Sequence, residues 1–422
     1  MRVCQNARVS LRKWRTDPDR LQELPQMRVA VAMSGGVDSA VAAALVQAQG
    51  HDVVGVHLLM GAASVPETAD AQRIADRLGV ELAVWDLRGP FEEHVIDYFV
   101  GSYARGLTPN PCLRCNRGVK FGGLLARGRA EGFEAVATGH YARITRSSEG
   151  LAELRRAADP RKDQSYVLAV LGQEELARLM FPLGDFAAKA EVRAQAARLG
   201  LPVAAKPDST DICFISSGGA VEFLAEHLPD RPGDIVDEDG NVIGRHTGIH
   251  HFTIGQRKGL RLGRPSTDGR PRYVTGISAA TNTVRVGQGD ALLVDYVFAE
   301  RLLVTAPELP DGWHGAAQFR AHGAAHPATV QREGDRARVV FDDPAASVAP
   351  GQFIVFYEGD RVRGCAEITT THRLGRPGGL GVRSVGAWLR APRSSGAAPA
   401  ACSSGTARSS PRPPRTGRGP QR

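Results

Sequence analysis

The chain lacks a long hydrophobic segment and is poor in cysteine. No apolar run reaches the roughly 18 residues that a membrane-spanning helix needs, and residues 1–26 are basic without the apolar core of a secretion signal. Only six of the 422 residues are cysteine, which does not fit a disulfide-stabilised secreted protein. We therefore expect a cytoplasmic protein with no membrane partner, whose thiols serve in catalysis or metal binding.

Acidic residues are missing from the C-terminal end. Residues 374–422 hold nine Arg and no Asp or Glu, and residues 1–26 add a net charge of +3. Because the whole chain carries +8, residues 27–373 carry −4. The net charge is therefore weak evidence that the folded body binds nucleic acid. We expect disorder in the atypical N-terminal extension, 1–26, and in the Arg/Pro/Gly/Ser-rich tail, 372–422.

Strand-like and helix-like segments alternate in the first half, which predicts an α/β fold with a parallel sheet. After about residue 206 short β-like segments dominate. We expect a Rossmann-like domain over 27–205, a small central domain over 206–283, and a C-terminal β-barrel-like domain over 284–371. The predicted strands are 29–33, 53–59, 82–85, 135–138, 237–240, 253–259, 273–277, 283–286, 336–341 and 352–357, and the predicted helices are 40–49, 67–78, 91–103 and 223–227.

A glycine loop, Ser34-Gly-Gly-Val-Asp-Ser39, lies between the first predicted strand and the first helix. Glycines let the backbone approach an anion, and the N–H groups at a helix N-terminus face it. Asp38 would repel a bare phosphate, so it indicates a bridging Mg²⁺. The Gly-Lys-Ser/Thr ending of a Walker A loop is absent. The loop resembles instead that of the PP-loop ATP pyrophosphatases, although an ordinary glycine turn is the alternative.

Three cysteines have a plausible shared location. Cys112 and Cys115 form a CxxC in a proline-rich segment, and Cys213 follows 98 residues after Cys115. A lone CxxC is compatible with a zinc clip, a redox pair or part of a cluster site. A closed zinc site needs four ligands, and no second CxxC occurs.

Several motifs in one order make the resemblance specific. They are SGGVDS, TPNPCxxCN (108–116), ATGHYAR (137–143), KDQSY (162–166), DSTDICFI (208–215) and TIGQRKGL (253–260). Over residues 27–371 the chain resembles the tRNA-specific 2-thiouridylase family, within the PP-loop ATP pyrophosphatase superfamily. The resemblance implies a transferase that adenylates the C2 oxygen of the wobble uridine of tRNA and replaces it with persulfide sulfur, giving 2-thiouridine, AMP and pyrophosphate.

The resemblance also implies partners, cofactors and site residues. The cofactors are ATP and Mg²⁺, and the partners are tRNAs with Lys, Glu and Gln anticodons and a cysteine desulfurase or sulfur-relay protein. Cys213 would carry the persulfide, and Cys115 would be the nucleophile that forms a transient disulfide with it. The ATP-binding positions would be Ala32, Met33, Ser34, Gly35, Gly36, Val37, Asp38, Ser39, Leu58 and Gly139. The tRNA-binding positions would be Asn110, Pro111, Cys112, His140, Lys162, Asp163, Gln164, Arg320, Ala321 and Gln352.

The chain departs from the family pattern at two places. Many members have Asp where this chain has Cys112, so this third thiol would be auxiliary, or Cys112, Cys115 and Cys213 would hold a 4Fe–4S cluster. The family's longer loop after the second strand is replaced here by residues 60–68. The rival interpretations are another PP-loop enzyme or tRNA thiolase, and a non-catalytic relative that binds RNA or metal.

Overall fold

The computed structural model of the chain describes residues 26–61, 64–207, 212–215, 219–260, 262, 269–305 and 308–374. The ends predicted to be disordered lie outside this part, apart from residues 26 and 372–374. Residues 208–211, which precede Cys213 in its motif, also lie outside it. Within the described ranges no helix has the length and apolar composition to cross a membrane.

Seventeen strands are present in the described part of the chain. They are β1 (Arg28–Ala32), β2 (Asp52–Leu59), β3 (Glu81–Asp86), β4 (Ala135–Ala137), β5 (Arg143–Arg146), β6 (Ala152–Arg155), β7 (Leu179–Met180), β8 (Gly233–Val236), β9 (Val242–His246), β10 (Tyr273–Ser278), β11 (Thr283–Gly287), β12 (Leu293–Val304), β13 (Trp313–Gln318), β14 (His326–Glu333), β15 (Arg336–Ala346), β16 (Phe353–Glu358) and β17 (Arg361–His372).

The helices concentrate in the first 230 residues. The α-helices of the described residues are α1 (Val37–Ala48), α2 (Ser64–Leu78), α3 (Arg88–Phe91), α4 (Asp97–Ala104), α5 (Pro111–Arg114), α6 (Phe121–Ala130), α7 (Ser165–Leu168), α8 (Gln173–Leu176), α9 (Lys189–Arg198) and α10 (Gly219–His227). Glu92–Ile96 and Cys115–Lys120 are π-helical, and Ile249–His251 and Gly289–Leu292 are 3₁₀ turns.

The first sheet is parallel, with the strand order β3-β2-β1-β4-β7. Val29 and Val31 of β1 are fully buried, as a strand covered by helices on both faces requires. Alanines dominate α1 and let it pack closely on this sheet. The predicted Rossmann-like sheet is confirmed, and its carboxyl edge presents the glycine loop that follows β1.

The second half forms two further sheets. One has the order β10-β11-β8-β9. In the other, strands β12 to β17 form an antiparallel barrel that the pairing of β12 with β17 closes. The β5–β6 hairpin, from the first half of the chain, extends this sheet through β17. The predicted barrel-like fold is confirmed. Since β11 pairs with β8, strand 283–287 belongs to the four-stranded sheet.

Three local predictions are wrong. Residues 237–240 form a turn, because the carboxylate of Asp237 accepts hydrogen bonds from the backbone N–H groups of Asp239 and Asn241, at 3.1 and 2.8 Å. Residues 253–259 are also irregular, and Gly255 and Gly259 adopt positive φ angles of 87° and 79°. The predicted loop 60–68 ends at Ser64, where α2 begins.

A continuous core joins the parallel-sheet region to the barrel. It includes Leu154 and Tyr166 from the first half and Phe353, Tyr357 and Cys365 from the barrel, all at most 5% exposed. The barrel therefore packs directly against the region that carries the glycine loop.

Candidate active site

The glycine loop is tightly packed against α2. Gly35 has a φ of +72°, and a Cβ added there would lie 2.8 Å from both the Glu67 carbonyl oxygen and the Asp70 Cβ. Gly36 is the N-cap of α1 and no side chain caps this end. The first N–H groups of α1 thus lack side-chain acceptors within the loop and suit an anion such as a phosphate.

Two serines give this loop its shape. Ser39 Oγ accepts a hydrogen bond from Ser34 N–H at 3.2 Å and donates one to Gly36 O at 3.1 Å. Ser34 is exposed, whereas Met33 and Val37 are buried in the core. Of the predicted ATP-binding residues, Met33 and Val37 can therefore offer a ligand only their backbone, and Ser34 can offer its hydroxyl.

Asp38 is held by a lysine that sequence reasoning missed. Its carboxylate accepts hydrogen bonds from Lys189 Nζ, at 2.5 and 2.6 Å, and from Tyr141 Oη, at 2.7 Å. Lys189 is the first residue of α9, where the helix dipole disfavours a cation. A cation at this end of a helix needs a compensating partner, and Asp38 supplies it.

Gly139 and Leu58 lie at the ends of β4 and β2, beside the same loop. A Cβ added at Gly139 would lie 2.8 Å from Asp38 C and Ser39 N. Leu58 is buried, and Ala32, the last residue of β1, is half-buried. The structure thus brings every predicted ATP-binding residue to one edge of the sheet.

Lys206 is a second residue that the sequence did not point to. Its Nζ donates hydrogen bonds to Gly35 O at 3.1 Å and to Asp70 Oδ2 at 2.7 Å. It therefore connects the glycine loop to α2, seven residues before Cys213 in the chain.

The two predicted catalytic thiols share one electrostatic environment. Cys115 is buried at the start of a π-helix, and Cys213 is exposed. Burial raises the pKa of both thiols, while the positive charge of Lys120 lowers both. A negative charge on Cys213 raises the pKa of Cys115 further, so the thiols lie within electrostatic reach of each other.

Aromatic packing fixes the segment that carries Cys213. The Phe214 ring makes edge contacts with Phe91, Phe99 and Phe223, at centroid distances of 5.8, 5.4 and 5.2 Å. Cys112 is half-buried, and its N–H donates to Asn110 Oδ1 at 3.2 Å, which caps the short helix that begins at Pro111. None of the four cysteines of the described residues forms a disulfide, and Cys365 is buried.

Electrostatics and packing connect the thiols to the glycine loop. Glu67, whose carbonyl lies against Gly35, also raises the pKa of Cys213 through its charge. His140 follows Gly139, and its pKa falls to about 3 because of burial and the charge of Lys120. Its Nδ1 lies 2.8 Å from Thr138 Oγ1, and its ring packs on Phe121. His140 is therefore a neutral imidazole at physiological pH.

The KDQSY segment has a strong structural role. Both oxygens of Asp163 are occupied, by the N–H groups of Ala157 and Ser165, the Ser165 hydroxyl and Arg156, at 2.8–3.1 Å. Gln164 Oε1 accepts from Tyr141 N–H at 2.9 Å. Asp163 thus organises the turn that carries this segment.

Three distant segments surround a cavity of about 360 Å³. Thr108 comes from the cysteine segment, Thr253 and Gly255 from TIGQRKGL, and Arg320 and Gln352 from the barrel. Gln352 Nε2 donates to Thr108 O at 3.0 Å. Ala321 follows Arg320 and is half-buried. Arg320 and Gln352 therefore share this cavity with the TIGQRKGL segment, to which the sequence analysis assigned no role.

Comparison with known proteins gives consistent domain matches. Residues 27–217 match the family model described as the tRNA methyl transferase HUP domain, and 221–288 match the tRNA methyl transferase PRC-barrel domain. Residues 303–368 match the aminomethyltransferase beta-barrel domain.

Among solved structures, a U34-tRNA thiolase, NcsA from Methanococcus maripaludis with its 4Fe–4S cluster, is 19% identical. It covers 54% of this chain and 75% of its own, with a TM-score of 0.33. That likeness is too low to bear on the cofactor or function of this chain.

Curated relatives match far more closely. The tRNA-specific 2-thiouridylase MnmA of Acidothermus cellulolyticus is 52% identical over 359 residues, which cover 82% of this chain and 99% of the relative. The protein of the same name from Cutibacterium acnes is 50% identical over 361 residues, which cover 83% of this chain and 98% of the relative. Since such relatives match over nearly their whole length, the chain belongs to the tRNA-specific 2-thiouridylase family.

Proposed function

We propose that the chain is an ATP-dependent sulfurtransferase that replaces the C2 oxygen of the wobble uridine of tRNA with sulfur. The observation that carries the proposal is the connection of the glycine loop to two thiols that share Lys120. An anion cradle beside paired thiols fits a reaction that first activates an oxygen and then displaces it with sulfur.

In the first step, the C2 oxygen of uridine attacks the α-phosphorus of ATP and the bond to pyrophosphate breaks. The N–H groups at the start of α1 and the Ser34 hydroxyl bind the departing phosphates. Adenylation converts a poor leaving group into AMP, so C2 becomes open to a nucleophile.

In the second step, the terminal sulfur of a persulfide on Cys213 attacks C2, and AMP leaves with the former carbonyl oxygen. The Cys115 thiolate then attacks Sγ of Cys213. The bond between Cys213 and the transferred sulfur breaks, 2-thiouridine is released, and a Cys115–Cys213 disulfide forms. An external thiol reduces the disulfide, and a cysteine desulfurase or sulfur-relay protein restores the persulfide.

Magnesium fits the glycine loop. Asp38 offers the carboxylate oxygens that Mg²⁺ prefers, and its pairing with Lys189 at 2.5 Å is consistent with a cation at this position. When bound, Mg²⁺ neutralises charge on the phosphates. Lys189 and Tyr141 orient the Asp38 carboxylate in the free protein.

The tRNA would be held by segments that surround the thiols. Asn110, Pro111 and Cys112 adjoin Cys115, and Arg320 and Gln352 line the nearby cavity. Neutral His140 can stack on a base or exchange a neutral hydrogen bond, and Lys162 can meet a phosphate. tRNAs with Lys, Glu and Gln anticodons are the proposed substrates.

An alternative for sulfur delivery is a 4Fe–4S cluster on Cys112, Cys115 and Cys213. Three cysteines in neighbouring segments equal the number of protein ligands in a cluster with one open iron position. Protein purified without oxygen and lacking iron, yet active with a persulfide donor, would rule out this alternative.

Mass spectrometry of tRNA nucleosides tests the function. Incubation with ATP, Mg²⁺ and a persulfide donor should produce an oxygen-to-sulfur exchange at the wobble uridine, together with tRNA-dependent pyrophosphate release. Cys213→Ser should abolish the exchange. Cys365→Ser is the matched control, because this buried thiol donates to Ala169 O at 3.3 Å and a hydroxyl can do the same.

The results also separate the rivals. Sulfur at another tRNA position would indicate a different PP-loop thiolase. ATP and tRNA binding without pyrophosphate release would indicate a non-catalytic relative. Full activity of Cys213→Ser would overturn the role of Cys213.

A further inference from the structure

Two histidines and a carboxylate form a second cluster, away from the predicted site residues. Asp230 follows α10, and His250 and His251 lie in the 3₁₀ turn Ile249–His251. One ligand atom from each of these three residues lies within 4.8 Å of the others, and they are the one such group found in the ranges that the structure describes.

The imidazoles in this cluster have unused nitrogens. His250 is 5% exposed, and its Nε2 is buried with no hydrogen-bond partner among the described residues. The same holds for Nδ1 of His251 and for Nδ1 of the neighbouring His246. The rings of His250 and His251 are 4.1 Å apart between centroids. Buried polar atoms without partners are costly, so several together indicate a missing common partner.

The other groups at this place have the right chemistry for a metal site. Asp230 Oδ1 lies 3.3 Å from Nε2 of His251, and its side chain is 63% exposed. His246 Nε2 lies 3.2 Å from Asn282 O.

We propose that Asp230, His250 and His251 bind a divalent transition-metal ion, Zn²⁺ or an ion of similar preference. Imidazole and carboxylate are ligands that Zn²⁺ accepts in a tetrahedral site, with water able to take the fourth position. Zinc bonds of about 2.0–2.1 Å place tetrahedral ligand atoms about 3.4 Å apart, close to the 3.3 Å between Asp230 Oδ1 and His251 Nε2.

A metal ion at this site would cross-link the segment after α10 to the connection that follows β9 of the four-stranded sheet. α10 carries Phe223, which packs on Phe214 beside Cys213, and Asp230 lies three residues after the end of this helix. His250 and His251 belong to the connection after β9. A bound ion would therefore stabilise the support of the Cys213 segment, and this role is structural and independent of the proposed thiolation.

Metal binding to the full chain tests the proposal. Because Cys112, Cys115 and Cys213 can also bind metals, the measurement uses a variant with all three replaced by Ser. After removal of metal with a chelator, one equivalent of Co²⁺ should bind and give a tetrahedral spectrum without a thiolate charge-transfer band. Zn²⁺ should displace it and raise the melting temperature.

Substitutions at the cluster identify the ligands. His250→Gln and Asp230→Asn should each weaken Zn²⁺ binding by about tenfold or more, and Asp230→Asn changes an exposed side chain that the fold tolerates. His314→Gln is the control, because His314 is an exposed histidine that pairs with Asp342 in the barrel. No binding to the triple-Ser variant, or unchanged affinity in both cluster variants, would overturn the proposal.

Discussion

Lys120 acts on three groups of the candidate site: Cys115, Cys213 and His140. The sequence pointed to all three of these but not to the lysine. Its position at the end of the π-helix that begins with Cys115 makes it a neighbour of both thiols. Because burial outweighs its charge, both thiols remain mostly protonated at neutral pH, and Lys120 limits how unfavourable their ionisation is.

Removing this charge should shift the pH dependence of thiolation. In Lys120→Met the two thiolates lose a favourable positive charge, so the pKa of Cys115 and Cys213 rises. The pH profile of the thiolation rate therefore shifts to higher pH, and the rate at neutral pH falls. Single-turnover thiolation followed between pH 6 and pH 10 measures this shift. Lys120→Arg keeps the charge and should retain the profile; identical profiles for Met and wild type would contradict the assignment.

Gly35 should tolerate no side chain. In Gly35→Ala the added Cβ meets Glu67 O and Asp70 Cβ at 2.8 Å, in addition to the strain of a φ of +72°. Strain of this kind costs about 1–3 kcal/mol, so we expect both a lower free energy of unfolding and loss of ATP binding. Calorimetry with ATP measures the second effect.

Gly334→Ala is the matched control for Gly35→Ala. Gly334 has a φ of +59°, and an added Cβ there meets nothing within 4 Å. Gly334→Ala should lower the free energy of unfolding measured by chemical denaturation but retain ATP affinity. Equal ATP affinity in both variants would argue against close packing of the loop.

At the scale of elements, α2 forms one wall of the glycine loop. The residues from Ser64 onward are helical and place Glu67 and Asp70 against Gly35. A sequence pattern could indicate the helix but not which loop it contacts. Lys206 completes this contact by bonding Gly35 O and Asp70 together.

Lys206→Met should loosen the loop without unfolding the chain. A hydrogen bond to a charged group contributes roughly 1.5–3 kcal/mol, so we expect kcat/KM for ATP to fall about tenfold or more, mainly through KM. Steady-state pyrophosphate release measures it. Arg88→Met removes an exposed pair with Asp86 instead and should leave KM unchanged, whereas an unchanged KM in Lys206→Met would contradict the role.

At the scale of the whole molecule, the KDQSY segment joins the two halves. Tyr166 is 1% exposed, and its hydroxyl donates to Phe353 O in the barrel at 2.9 Å. Ser165 Oγ lies 3.1 Å from Tyr357 Oη, and Arg156 covers the Tyr357 ring at 3.6 Å. These contacts give the segment a structural role that does not depend on contact to RNA.

Tyr166→Phe should destabilise the protein, because it leaves the buried Phe353 carbonyl without this donor. The expected loss in free energy of unfolding is about 1–3 kcal/mol, measured by chemical denaturation of the full chain. Tyr273→Phe, at a half-buried position in the four-stranded sheet, should change stability little. An equal effect of the two substitutions would contradict the proposed junction.

The sequence by itself determined the family, the parallel sheet and the positions of the loop and thiols, because these depend on local patterns and on motifs. It failed at 237–240 and 253–259, where side-chain bonding and glycines override β-like composition. Tertiary structure alone decided that Lys120, Lys189 and Lys206 reach the site. Lys120 shares a π-helix with Cys115 but also acts on Cys213 and His140, and the partners of Lys189 and Lys206 lie on other elements. A chain pattern carries no information about which elements meet in space.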